Sequence, residues 1–219
     1  MKIFACSDVH GATGTVARAL GNEPGLDAIV VAGDLTTHGT PEEAEDFLTA
    51  LMRFGPPVLA VAGNMDPPLL EQTLTARNVS LNGTGVILGE VGFFGVSSCP
   101  PTPFRTPYEI SEEEIMKRAE SGWEAVRAAK RKIFVPHAPP AHTAVDRTWT
   151  GLHVGSTAVR DFIERRQPDL VLCGHIHEAR GTDWLGKTLI VNCGAAGHGS
   201  YAIATIAESA SAQLEEVSR

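Results

Sequence analysis

The stretch Leu170-Val171-Leu172-Cys173-Gly174-His175-Ile176-His177 joins an apolar run of strand length to a glycine and two histidines one residue apart. Alternate residues of an extended chain point to the same side, so His175 and His177 can leave a strand end facing one point. Gly174 lets the backbone turn there with no side chain in the way. Asp8-Val9-His10 repeats the spacing after another apolar run, and Gly33-Asp34, Gly63-Asn64-Met65-Asp66 and Pro136-His137 close three more. Imidazole, carboxylate and amide oxygen, with no thiolate among them, suit Mn²⁺, Fe²⁺, Zn²⁺ or Ni²⁺. Asp8, His10, Asp34, Asn64, His137, His175 and His177 make seven potential ligands. That is too many for one ordinary zinc but suits two divalent ions sharing a bridging carboxylate. Two such ions about 3.5–4 Å apart can clamp a phosphoryl group and lower the pKa of a shared water.

These residues need a scaffold that delivers them to one edge. Residues 3–6, 26–32 and 57–62 read as apolar strands, each running into polar, metal-capable residues at its C-terminal end. Open parallel α/β sheets place their ligands at that edge. Residues 13–20 read as a helix with Val16, Ala19 and Leu20 inward. Thr40-Pro41-Glu42-Glu43 starts another, with a threonine cap, proline in the first position and acids near the positive end. Phe47, Leu48, Leu51 and Met52 form its buried face. The second half has a different texture. Residues 86–97 alternate strand formers with Gly89, Gly92 and Gly95, the pattern of a hairpin or meander. Residues 99–107 hold four prolines and read as loop. Ser111-Glu112-Glu113-Glu114 resembles a capping box opening a helix to about residue 130, its acids forming a solvated first turn. Strands are expected at 132–135, 170–173, 188–194 and 201–206, and a helix capped by Ser156 at 156–166 with Val159, Phe162 and Ile163 inward. The polar tail 208–219 is expected to fray. No repeat of fixed period and no linker interrupts the chain, so residues 1–219 are expected to form one domain.

Composition bounds the function. The chain has 219 residues, 43% hydrophobic and 20% charged, the profile of a soluble globular protein with a full core. Its net charge of −8 argues against nucleic-acid or anionic-membrane binding driven by bulk charge. It does not exclude a nucleotide held by metal ions. No apolar run reaches ~18 residues, so no membrane span is expected. The opening residues lead straight into a strand and do not read as a signal peptide. The four cysteines form no CxxC pair. Cys6, Cys173 and Cys193 sit in apolar, strand-like runs as small hydrophobes. Disulfides are not expected, and the compartment is read as cytoplasmic.

Taken in order, Asp8-Val9-His10, Gly33-Asp34, Gly63-Asn64-Met65-Asp66, Pro136-His137 and Gly174-His175-Ile176-His177 resemble the five motifs of the calcineurin-like metallophosphoesterases. The resemblance spans residues 8–177. It implies an α/β sandwich of two mixed β-sheets packed face to face, with helices outside. It also implies that Asp8, His10 and His177 hold one divalent metal, that Asn64, His137 and His175 hold the other, and that Asp34 bridges them. A hydroxide between the metals would be the nucleophile, with Asp34, Asn64 and His137 carrying catalytic as well as metal-holding roles. The segment from His137 through Gly151-Leu152-His153-Val154-Gly155-Ser156 to Gly174-His175-Ile176-His177-Glu178-Ala179 is most similar to small bacterial and archaeal phosphoesterases described as related to cyclic-nucleotide phosphodiesterases.

One position departs from the family pattern. Many members carry a histidine directly after the motif's asparagine, where it contacts the phosphate and helps protonate the leaving oxygen. Here that position is Met65, which can neither donate a proton nor carry charge. Asp66, which in the family commonly orients that histidine, is left as either a plain turn residue or the holder of a hydrogen bond behind the metal ligands. General-acid help is worth ~10²–10⁴-fold, so phosphodiesters with good leaving groups are the expected substrates. His38, His142, His153 and His198 are the candidates to replace the missing acid or to contact substrate. Asn192 is expected to be structural. Gly155-Ser156 offers backbone N–H groups for a phosphate, although capping alone explains the serine. The expected partner is a small phosphorylated substrate, with no nucleic acid and no membrane, and a homodimer is left open. Two other classes stay open. One is a phosphomonoesterase acting on a phosphoprotein or small metabolite. The other is a non-catalytic module whose metal site serves docking.

Overall fold

The computed structural model describes residues 1–217. The strands are β1 (Lys2–Cys6), β2 (Ala28–Ala32), β3 (Val58–Val61), β4 (Gly85–Leu88), β5 (Val91–Val96), β6 (Arg131–Pro136), β7 (Leu170–Cys173), β8 (Gly181–Leu185), β9 (Thr188–Asn192), β10 (Ser200–Ile206) and β11 (Ala210–Glu216). The helices are α1 (Thr13–Gly21), α2 (Pro41–Met52), α3 (Leu70–Ala76), α4 (Glu112–Ala125) and α5 (Thr157–Arg166). One sheet runs β11-β10-β1-β2-β3 and the other β4-β5-β6-β7-β9-β8. Both are mixed. β1, β2 and β3 are parallel in the first, as are β5, β6, β7 and β9 in the second. The chain thus has the α/β architecture of two mixed sheets flanked by helices.

Alternation along the strands makes the layers. Ile3, Ala5, Val30 and Val61 of the first sheet meet Phe93, Ile133, Val135, Leu172 and Val191 of the second in one buried seam. The opposite face of the first sheet, with Phe4, Ile29, Val31 and Ala60, packs Phe47, Leu48 and Leu51 of α2 and Leu74 of α3. The outer face of the second sheet buries Phe94, Phe134 and Val171 against Ile115 and Ala119 of α4 and Phe162 and Ile163 of α5. Strands buried on both faces read as continuous apolar runs, which is how β2 and β7 look in sequence.

Several expectations need correction. The tail does not fray across 210–216. It forms β11, paired antiparallel with β10 along its whole length, and Val217 is buried. β8 lies in the segment between expected strands that reads as loop, and the short α3 lies in a stretch for which no element was expected. The second acidic helix ends at Ala125, not near 130. Ser111 caps it through Glu114 N–H at 3.2 Å, but Glu114 turns away to Arg118 at 2.8 Å, so no reciprocal box forms there. By contrast, α2 opens with the full box, Thr40 and Glu43 each accepting from the other's backbone. No helix among the described residues is long and apolar enough to cross a membrane.

Candidate metal centre

Each of the seven predicted residues lies just past the C-terminal end of a parallel strand: Asp8 and His10 after β1, Asp34 after β2, Asn64 after β3, His137 after β6, and His175 and His177 after β7. Three strands belong to one sheet and two to the other, so the site sits at the shared edge of the sandwich. Backbone bonds lock the edge together. Asp8 N–H donates to Gly33 O at 3.0 Å, and the Val9 and His10 N–H groups both donate to Asp34 O at 2.8 and 3.0 Å. Gly174 N–H reaches His137 O at 3.0 Å. The His137 ring crosses from one sheet to the other, its Nδ1 2.8 Å from Ala32 O.

Four of the seven take left-handed backbone conformations: Asp8, His10, Asp34 and His175, with φ between 49° and 68°. Such non-glycine residues carry conformational cost and collect at functional sites. The flanking glycines leave room. A Cβ on Gly174 would collide with Ser7 Oγ and the Asp8 carboxylate, and one on Gly63 would collide with Asp34. These close approaches explain why a glycine precedes both His175 and Asn64.

The side chains converge. Asp8, His10 and His177 present ligand atoms within 4.8 Å of one another, and so do Asp8, Asp34 and His137. Asp34 Oδ2 lies 3.8 Å from His10 Nε2 and 3.7 Å from His137 Nε2, so one carboxylate oxygen faces both groups. Asn64 Oδ1 is 2.9 Å from His137 Nε2. The His137 and His175 rings stand 5.1 Å apart between centroids. Asp8 and His137 are fully buried, and Asp34 and Asn64 nearly so. The opening is on the other side, where 40% of the His177 side chain is exposed.

The donor set suits a cation on two counts. Asp8 Oδ1 is buried with no hydrogen-bond donor. His177 Nε2 lies 3.1 Å away, but off the line a hydrogen bond needs. Buried carboxylate oxygens without partners are rare and costly. His137 gives the second count. Ala32 O can only accept, so Nδ1 carries the proton. That leaves Nε2 facing the Asn64 amide oxygen at 2.9 Å, where a cation could be coordinated by both, and a ring N–H on a backbone carbonyl is the usual anchor of a metal-binding histidine.

Electrostatics follow burial. Burial pushes the Asp8 carboxyl up, but His177 and then His137 outweigh it and hold it at about 2. Burial raises Asp34 to about 7, opposed by His137 and reinforced by Asp8 and Asp66. Burial lowers His175 to about 3, which keeps its imidazole neutral. His177 is raised, chiefly by Asp8. His10 is lowered, chiefly by burial.

The surrounding residues resolve the open readings. Asp66 is a hydrogen-bond partner and not a bare turn residue. Its carboxylate accepts from Leu35 N–H at 3.0 Å, Thr36 N–H at 2.8 Å, Thr36 Oγ1 at 2.9 Å and Gly63 N–H at 2.9 Å. Asn192 is structural: its amide donates to Val145, Gly174 and Ile176 carbonyls. His153 Nδ1 sits 2.6 Å from the buried Asp146 carboxylate, beside His142 at 5.3 Å between ring centroids. That carboxylate also accepts from His142, Thr143 and Gly155 N–H groups, so it closes the 142–155 loop. His198 is exposed and lines a surface cleft with Thr15, Arg18 and Val217, none of them a candidate ligand. The N-terminus of α5 offers no phosphate seat. Glu112 already accepts from Ser156 Oγ and from the Thr157 and Ala158 N–H groups. Sequence reasoning missed this role of Glu112, because nothing in an acid run shows which acid reaches another helix.

The calcineurin-like phosphoesterase family model matches residues 1–179. The chain belongs to that family. An uncharacterized protein of Methanocaldococcus jannaschii, MJ1162, is 33% identical over 196 residues, covering 88% of this chain and 87% of that protein. Among solved structures, TT1561 of Thermus thermophilus superposes with a TM-score of 0.78 at 21% identity, covering 98% of each chain. Purple acid phosphatase PPD1 of yellow lupin superposes with a TM-score of 0.63 at 12% identity, over 99% of this chain and 51% of that one. These two likenesses are of fold. The family supports a metal-dependent phosphoester hydrolase, and the Asp and His groups described here are able to bind metal.

Proposed function

We propose that this protein hydrolyses small phosphodiesters with good leaving groups, using two divalent ions held by Asp8, His10, Asp34, Asn64, His137, His175 and His177. The observation that carries the reading is the buried, donorless Asp8 Oδ1 beside Asp34, whose Oδ2 faces histidines of both groups. Bound divalent ions supply charge neutralisation for a phosphoryl group and an activated water. The chain's own residues do the rest. Asp34 and Asp8 provide the negative charge that draws cations to a buried floor. His137 is aimed by Ala32 O, and His175 stays neutral and ready to ligate. Asp66 fixes the turn after Asp34 and the turn before Asn64 through one carboxylate, so both candidate ligands are placed together. Met65, half-buried after Asn64, supplies no proton from that position, so leaving groups that need none are favoured and any that need one must take it from another residue.

A panel of chromogenic mono- and diesters with added Mn²⁺ tests the substrate class. An aryl diester should give a higher kcat/KM than any simple alkyl monoester. The reverse order would make the protein a monoesterase. Asp34→Ala should lose both turnover and bound metal, because one carboxylate serves both ions. A variant retaining two ions per chain and the wild-type rate would overturn the assignment.

A further inference from the structure

We infer that His38 supplies the proton to the leaving alcohol that Met65 cannot, an inference that rests on the phosphoesterase reading above. The turn 35–39 is held from three sides. Asp66 takes the N–H groups of Leu35 and Thr36 and the Thr36 hydroxyl. Thr37 Oγ1 lies 2.8 Å from His10 Nδ1. His38 N–H donates to Met65 O at 2.9 Å. The His38 backbone therefore lies beside that of residue 65, where the missing acid would be carried, on a turn tied to one candidate ligand and following another. The Asp66 carboxylate, which an intact motif would use to aim a histidine at residue 65, instead anchors the turn that carries His38.

Two further features single this residue out. It is a non-glycine residue in the left-handed region, φ 55°, a conformation that persists where the surroundings enforce it. Its ring is exposed and makes no hydrogen bond among the described residues, whereas His153 is occupied by Asp146 and His198 lines a cleft with Arg18. An exposed imidazole free of partners, on a turn bonded to both Met65 and His10, can give its proton to the departing oxygen as the P–O bond breaks. The alcohol then leaves neutral, and the imidazole regains a proton from solvent.

The test uses full-length protein, a diester series graded from aryl to alkyl leaving groups, and His38→Gln beside His153→Gln. His38→Gln should lower the alkyl-to-aryl ratio of kcat/KM tenfold or more, with metal content and Tm as in the wild type. Met65→His added to His38→Gln should restore the ratio. In the zinc-loaded wild type, inorganic phosphate should shift the His38 imidazole resonances. An unmoved ratio in His38→Gln, a larger fall in His153→Gln, or His38 resonances indifferent to saturating phosphate would each overturn the inference. A wild-type protein that hydrolyses the aryl diester while any of these holds leaves the phosphoesterase reading intact. A wild type inactive on the whole series sinks both.

Discussion

At the scale of single residues, the site is a balance between burial and charge. Asp34, raised to about 7 mainly by burial, has a folded-state pKa above its unfolded value of 3.8. Its contribution to metal-free stability is full below about 4 and is lost as pH rises through about 7. His175 has the opposite sign. Lowered from 6.5 to about 3 by burial, it contributes stability above 6.5 that is lost as pH falls through about 3. Between those limits the two oppose each other. A metal must displace the Asp34 proton, so affinity should fall as pH drops from 8 to 6, with proton release on binding. Calorimetric titration of zinc in buffers of different ionisation heat reads both quantities, and equal affinity at the two pH values would contradict the shift. Met65 gives a second residue-level prediction. In the His38→Gln background, Met65→His should raise rates on alkyl esters within the ~10²–10⁴ range of general acids and leave aryl esters little changed. If Met65 packs against an apolar wall, the histidine instead costs ~1–3 kcal/mol. Thermal unfolding measured beside the alkyl-to-aryl ratio separates the two outcomes. The identities of the seven candidate residues were legible because apolar runs ended repeatedly in ligand-type side chains. The left-handed backbones of Asp8, His10, Asp34 and His175 were not, because aspartate and histidine adopt φ above zero without a sequence mark.

At the scale of elements, legibility followed burial. β1, β2, β3 and β7 are buried nearly throughout and announce themselves as apolar runs. β8 and β11 lie at sheet edges and alternate between half-buried and exposed positions. In β11 the inward residues are Ala210, Ala212 and Leu214, too small and too few to stand out against Ser211, Gln213 and Glu215. Helix α3 is only seven residues long and owes its place to Leu70 and Leu74 in the core. The acidic start of α4 held the opposite lesson: its sequence looked like solvated surface, yet Glu112 caps α5. Glu112→Ala should cost about 1–3 kcal/mol, since it removes a charged acceptor from the positive end of a helix. The exposed neighbour gives the control, and Glu113→Ala should stay within about 0.5 kcal/mol. Urea unfolding of the two variants decides it, and equal midpoints would refute the cross-helix cap.

At the scale of the whole molecule, the strand order separates where the candidate ligands are written from what holds them. All seven precede residue 178, and the family model ends at residue 179. The strand bearing Asp8 and His10 is nevertheless central in its sheet, with β10 on one side and β2 on the other. Its loop is also pinned from beyond, by Ala196 N–H on Ser7 O and Gly197 N–H on Asp8 O. A chain ending at residue 195 keeps every candidate ligand but loses these bonds and both closing strands. It should bind far less zinc than the full chain and show a weaker, broader unfolding transition. Full zinc content in that truncation would show that the closing hairpin is dispensable.

The central place of β1 also sets an order in time. β1 waits for β10 before its second edge is covered, so the centre cannot be finished until residues 200–206 have emerged from the ribosome. Ion capture should then follow the emergence of β10. Stalled nascent chains whose exposed portion ends before residue 200 should remain protease-sensitive in zinc-rich extract, while chains exposed through residue 217 become resistant.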